Sequence, residues 1–253
     1  MASNDEACLP IFSAHAASLW HAGFAVMPAD GKRPIRAGYN TWRQRPGIQA
    51  VEKWAKAHPC ANIVCVPGLS RSRSNPYGLV IVDADNAVEV ERVAQIFGST
   101  PAMIETSRGR HFIYGATETT LGKVGSLRAA GYEIDIKHGQ KGSGISVLPP
   151  SRHDSGFVYR WHDGSGIEAM ADLPAFNVQA LHAILRARES GTLHHATGSG
   201  TLLYATESGT IRNDTILPPA AAPPPPSSGQ HNGSRGLALN KFLAGRQNHC
   251  AVR

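Results

Sequence analysis

Cysteine is scarce and unpatterned: Cys8, Cys60, Cys65 and Cys250 are the four in 253 residues, and no two form a C-x-x-C pair. Such spacing gives no sign of a disulfide framework and predicts a reducing, cytoplasmic setting. A zinc set drawn from His58, Cys60 and Cys65 is formally available, but Cys65 lies in the apolar run 62–66, where a small buried side chain is the simpler reading. Long apolar runs are missing too. No segment approaches the ~18 residues of a membrane span, and the N-terminus places acids, not a basic cluster, before its first apolar run. The expectation is a soluble intracellular protein without a membrane partner. Acids are the minority charge, 19 Asp and Glu against 25 Lys and Arg, and the net charge of +6 suits a polyanionic partner.

The chain is long enough for one large domain or two small ones. It is organised around 79–85, Leu-Val-Ile-Val-Asp-Ala-Asp. Four apolar residues in a row predict a strand buried on both faces. Period two then puts Asp83 and Asp85 on the same side. Like charges so placed repel and raise each other's pKa unless a cation stands beside them, which makes the pair a candidate magnesium or manganese site. The competing reading is a helix cap. Asn86 stands three residues before Glu89, and Val90, Val93, Ala94 and Phe97 follow at helical spacing up to Gly98.

Upstream, Ile11 to His21 reads as an amphipathic helix closed by Gly23, and 24–28 as a short strand. A basic loop follows over 30–36, then Trp42, Arg43 and Arg45, a combination that can hold phosphate and stack a base. A second helix is expected over 48–58 with Val51, Trp54 and Ala55 inward, and a strand over 62–66. Downstream, 102–106 and 111–114 flank a glycine-containing connection and predict a hairpin. His111 opens its second strand in the company of Arg108 and Arg110, a donor cluster suited to triphosphate oxygens. The segment 132–137 alternates, with Ile134 and Ile136 on one face and Glu133, Asp135 and Lys137 on the other. Together with 145–148 it reads as a second hairpin across a glycine-rich turn. A last strand is expected over 157–161 and an amphipathic helix over 175–188.

After residue 189 the composition shifts to Gly, Ser and Thr, and 218–226 contains six prolines. Such a stretch buries too little apolar surface to offset chain entropy, so 190–236 is expected to be a disordered linker. The tail 237–253 is too short to fold alone and reads as the start of a further domain. The folded domain is expected over 10–189.

Asp83-x-Asp85 on one strand, His111 on the next hairpin and Asp135 on a third strand form an ordered pattern that resembles the archaeo-eukaryotic primase superfamily. Within it, the chain is most similar to the bifunctional primase/polymerase domain of plasmids, phages and integrated elements. The likeness extends over about 10–188 and includes Lys32-Arg33-Pro34, Trp54 with His58-Pro59, Thr106 through His111, and Asp135-Ile136-Lys137 through Pro149-Pro150-Ser151. It implies an α+β fold, an N-terminal α/β unit joined to a modified RNA-recognition-type sheet with the active site in the cleft between them. It also implies roles. Asp83, Asp85 and Asp135 would hold two Mg2+ or Mn2+ ions, His111 would contact the incoming nucleotide, and Arg108, Lys137 and Lys32 would be further phosphate contacts. Two departures from the family pattern are visible. The second motif is often serine-any-histidine, whereas Gly109 precedes His111 by two here, as in many members of this branch, with Ser107 displaced by two. The helicase or accessory domain common after such modules is missing from this sequence.

The chemistry suits these residue types, since two metals activate a 3′-oxygen and stabilise leaving pyrophosphate, and carboxylates are the hard ligands magnesium prefers. The resemblance, with this chemistry, implies a DNA primase/polymerase of a mobile element. Its partners would be template, primer and nucleoside triphosphates, with a helicase or a missing C-terminal domain as a further one. Two alternatives use the same residues: a catalytically inactive replication-initiator fragment binding nucleic acid through Arg71, Arg73, Arg108 and Arg110, and a metal-dependent nuclease.

Overall fold

The computed structural model describes residues 8–71, 74–117, 125–138 and 144–190, with the backbone of 204–205 and 211–212. All belong to the unit that spans residues 1–214. Among the described residues up to 190 there are four α-helices and two antiparallel sheets, an α+β architecture.

The first layer is built from α1 (Ile11–His21), the hairpin β1 (Val26–Asp30) and β2 (Arg33–Pro34), α2 (Ile48–Ala57), β3 (Asn62–Cys65) and, from much later in the chain, β8 (Ser146–Val147). Its sheet runs β2-β1-β3-β8. The first strand starts two residues later than the sequence pattern predicts. The amides of Phe24 and Ala25 are already used, one on the Leu19 carbonyl at the end of α1 and one on Ser70 Oγ, so they are not free to enter a ladder.

The second layer holds β4 (Leu79–Ala84), α3 (Ala87–Phe97), β5 (Met103–Glu105), β6 (Arg110–Gly115), β7 (Ile134–Lys137), β9 (Arg160–Trp161) and α4 (Val178–Glu189). The strand order is β7-β4-β6-β5-β9. The crossover through α3 skips one place, and β6 returns to fill it beside β4, the split β-α-β arrangement of RNA-recognition-type sheets. Asn86 caps α3 by accepting from the Glu89 amide at 3.0 Å, and Asn177 does the same for α4 at the Ala180 amide. The capping reading of 86–98 and the strand reading of 79–84 thus hold together.

Strand β4 is buried on both faces, as its unbroken apolar run requires. Leu79 and Ile81 join a core with Ile104, Ile113, β1 and β3, while Val80, Val82 and Ala84 join a second with Phe112, Tyr114, Ile134, Ile136, α3 and α4. Alternation then fixes where Asp83 goes. It follows Leu79 and Ile81 on the face turned toward the first layer, at the strand end where that apolar core stops.

Three expectations need correction. The segments 134–137 and 146–147 are not a hairpin, because β7 pairs with β4 whereas β8 pairs with β3 in the register Val64 to Val147. The apolar faces decide this: Ile134 and Ile136 fit the helix-side core, and Val147 fits the core between the sheets. The strand over 157–161 shrinks to Arg160–Trp161, since the Tyr159 amide bonds the Ser151 carbonyl instead. Finally, Cys8 and Cys60 form a disulfide with Cα atoms 5.8 Å apart. A separation of 52 residues hid this pairing, and the cysteine pattern no longer argues for a reducing compartment. The pairing also removes Cys60 from any zinc set. Cys65 is buried in β3, and burial pushes its thiol up to about 12.

In the stretch expected to be a linker, Tyr204–Ala205 and Ile211–Arg212 pair as two short antiparallel strands, β10 and β11. The rest of 190–236, apart from Ser190, and the tail 237–253 lie outside the described residues.

Candidate active site

Three strands bring the predicted residues into one row. Asp83 on β4 is in register with His111 on β6 and with Asp135 on β7, so all three leave the sheet on the same face. Lys137, two residues beyond Asp135, shares that face. Asp85, just past β4, donates its amide to the Glu133 carbonyl at 3.2 Å. The face opens into a cavity of about 750 Å³ between the two sheets. Its walls include Asp83, Asp85, His111, Lys137, Lys32 and Arg108 of the predicted set, joined by Thr106, Ser107, His153 and Tyr159. Asp135 stands in the row but is not part of the cavity wall.

Each carboxylate in the cavity already faces cations. Asp83 accepts from Lys137 Nζ on Oδ2, and its Oδ1 lies 3.3 Å from His111 Nε2. Burial acts to raise the Asp83 carboxyl, but His111 and Lys137 together outweigh it and hold the group well below the usual carboxylate range. The upward shift expected of a repelling acid pair is therefore absent at Asp83, because the fold supplies the counter-charge. His111 is itself fixed from behind: its Nδ1 lies 3.2 Å from Ser146 Oγ of β8, which ties the second sheet's histidine to the first sheet's edge.

Asp85 is held by Arg128 on Oδ2 and lies 3.5 Å from Arg108 Nη2 on Oδ1. Arg128 also approaches Glu133 at 3.9 Å, and Glu133 accepts from Asn86 Nδ2 at 2.7 Å. Arg128, Ser146, His153 and Tyr159 were not found from the sequence. Arg128 belongs to a one-turn 3₁₀ segment, Arg128–Ala130, where no period marks a functional face. Arg110, by contrast, has the wrong parity. Adjacent to His111 on β6, it leaves the sheet on the opposite face and is not part of the cavity wall.

Thr106 Oγ1 accepts from the amides of Gly109 and Arg108 at 3.0 and 3.5 Å, closing the turn that carries Arg108 into the cavity. Tyr159 forms another wall, with ring centroids 6.0 Å from His111 and 6.3 Å from His153. Burial, with Asp83 and Asp154 nearby, pushes its phenol up to about 12. At neutral pH it therefore keeps its proton and remains a donor.

The donor set fits a divalent cation in kind. Asp83, Asp85 and Asp135 offer hard carboxylate oxygens from one sheet face, and Asp83 is held ionised. As the side chains stand, no cluster of three or more acidic, histidine or cysteine groups among the described residues is arranged to enclose an ion. Lys137 and Arg128 occupy the carboxylates, so cation binding requires them to move aside.

A two-sheet α+β fold with paired acids, a histidine and several cations in the intervening cleft is the architecture of a primase-type domain. The chain belongs to the bifunctional DNA primase/polymerase family, whose N-terminal domain model matches residues 16–176. The family acts on DNA and nucleotides. No curated protein and no solved structure gives a significant match to the chain. No helix among the described residues is long and apolar enough to cross a membrane.

Proposed function

We propose that the chain is a template-directed nucleotidyltransferase that adds nucleotides to a primer 3′ end on DNA, in the replication of a mobile element. The observation that carries this reading is the junction of Asp83, His111 and Lys137 beside Asp85 in one cavity large enough for a nucleoside triphosphate. Asp83, Asp85 and Asp135 would hold Mg2+ or Mn2+. Two such ions, when bound, supply activation of the attacking hydroxyl and neutralisation of the leaving pyrophosphate.

The protein's own groups do the rest. Lys32, Arg108 and Lys137 present cationic donors to the triphosphate, and Lys137 is freed for this when Asp83 takes a different counter-charge. His111, buried and held by Ser146 at Nδ1, turns Nε2 toward Asp83 and, like Lys137, becomes a donor to phosphate when Asp83 takes a different counter-charge. The Tyr159 hydroxyl offers another. Rigid strands position these groups, which is where nucleotidyl transfer draws most of its acceleration: alignment and charge placement.

Incubation with a primed template, Mn2+ and labelled nucleotides tests the reading directly. Extension of the primer supports it. Shortening would identify a nuclease instead, and retention of DNA without change would identify a binding module.

A further inference from the structure

Outside the cavity, the chain concentrates positive charge and indole rings on one segment. Between residues 31 and 57 there are seven Lys or Arg and a single acid, Glu52, together with two of the four tryptophans. The fold joins these residues across distance in sequence. Trp42 and Trp54 lie parallel, with an interplanar angle of 7° and centroids 6.1 Å apart. The Arg36 guanidinium is 5.7 Å from the Trp54 ring, and Arg45 is 4.1 Å from the ring of Trp20. Trp20 is locked in place by donating its Nε1 hydrogen to the Pro46 carbonyl at 2.7 Å.

Both stacked tryptophans are only half-buried, and Arg36, Arg43 and Lys53 are exposed. Among the described residues none of these three cations forms a salt bridge, although the acids of the second layer are heavily paired. Exposed unpaired cations are ordinary on a surface, and both indoles also pack against the core. The combination is what points to a ligand: a flat aromatic pair rimmed by unbalanced cations matches a strand whose phosphates and unstacked bases are both available. A duplex offers its phosphates but keeps its bases inside, so it would use the cations and leave the indoles idle. The segment also begins at Lys32, which lines the cavity.

We propose that the face formed by residues 32–45 and α2 binds single-stranded nucleic acid, with bases stacking on the Trp42 and Trp54 pair and phosphates meeting Arg36, Arg43 and Lys53. In a polymerase this strand is the unpaired template entering the cavity. That naming of the strand rests on the proposed function, whereas the binding face does not.

The test uses the full chain without metal or nucleotide. Binding of a labelled 20-residue oligothymidylate is followed by fluorescence anisotropy over a salt series, for the parent and for an R36E/R43E/K53E variant whose melting confirms that it folds. The expected result is at least tenfold weaker binding. The slope of log affinity against log salt should become shallower by about 2, since each lost phosphate contact on a single strand removes ~0.7. The oligonucleotide should also quench the parent's tryptophan fluorescence, and a duplex of equal length should quench it much less. Unchanged affinity and slope in the variant would overturn the proposal. Absent quenching in the parent, or equal quenching by the duplex, would overturn it without recourse to any variant. A chain that fails to extend primers yet passes these measurements would retract the polymerase reading and leave the single-strand face in place.

Discussion

Gly109 presses its Cα against the backbone of Ala84, so that a Cβ there would overlap the Ala84 carbonyl oxygen and lie 3.0 Å from the Asn86 amide nitrogen. The residues approached flank Asp85. The turn from β5 to β6 packs directly on the end of β4, so this position two residues before His111 leaves no room for a side chain. Gly109→Ala and Gly109→Ser are expected to cost about 1–3 kcal/mol by overpacking and to displace Asp85. Gly125→Ala, where a Cβ meets nothing within 4 Å, should stay within about 0.5 kcal/mol. Denaturant midpoints of the three variants check this, and equal midpoints would contradict the packing account.

The Asp83 cluster makes a prediction about acid stability. Its folded pKa lies below the ordinary carboxylate value, so the stabilisation it contributes is present above about pH 4 and is lost as pH falls toward the folded value. Asp83→Asn should therefore destabilise the protein at pH 7, by about 3 kcal/mol or more because Lys137 and His111 lose a partly buried partner. The gap between parent and variant should narrow below pH 4. Lys137→Met removes one counter-charge and should move that narrowing to higher pH. Urea titrations across pH 3–7 measure both, and a gap that does not depend on pH would remove the ion cluster from the stability account.

Asp135→Asn is expected to abolish nucleotide addition while leaving DNA binding nearly unchanged. Asp135 shares the sheet face and register position of Asp83 but forms no part of the basic surface that attracts DNA. A variant that extends primers at the parent rate would take Asp135 out of the site.

Much of this site is readable from sequence because strands are short-range objects. The two acids and the apolar run of β4 sit within seven residues, and parity pairs Asp83 with Asp85 and Asp135 with Lys137, while the β4–β7 register brings the two pairs to one face. Parity also shows why Arg110 cannot join His111. What sequence does not reveal are the contacts made across long stretches of chain. Ser146 reaches His111 only because β8 leaves its neighbour in sequence and adds to β3 in the other sheet. Arg128 reaches Asp85 over 43 residues from an aperiodic turn. Cys8 meets Cys60 because α1 packs beside α2. Each is a consequence of tertiary packing, for which neither spacing nor composition carries a signal.

His111 gives a kinetic prediction. His111→Asn can keep the Ser146 contact, because its amide sits where Nδ1 does, but it is too short to replace Nε2 toward Asp83 or the nucleotide. It should raise the apparent nucleotide constant about tenfold or more while leaving template affinity, set by distributed cations, unchanged. An unchanged nucleotide constant would mean that His111 serves only to hold Asp83.

A chain ending at Ser190 should keep primer extension, because every described element of the two sheets and the last helix, α4, is complete by Glu189. Initiation is a harder task. Two nucleotides must be gathered on a single strand with no duplex to anchor them, and the entropy of that assembly has to be offset by further contacts. Among the described residues the single-strand face on α2 would supply contacts to the template but none to a second nucleotide, so the shortened chain is not expected to start primers efficiently, and the same is expected of the full chain. Supplying both with single-stranded template and nucleotides, with and without a primer, separates the two steps. Robust primer synthesis by the shortened chain would show that the two sheets initiate unaided. Loss of extension on shortening would instead place residues beyond 190 in the working domain.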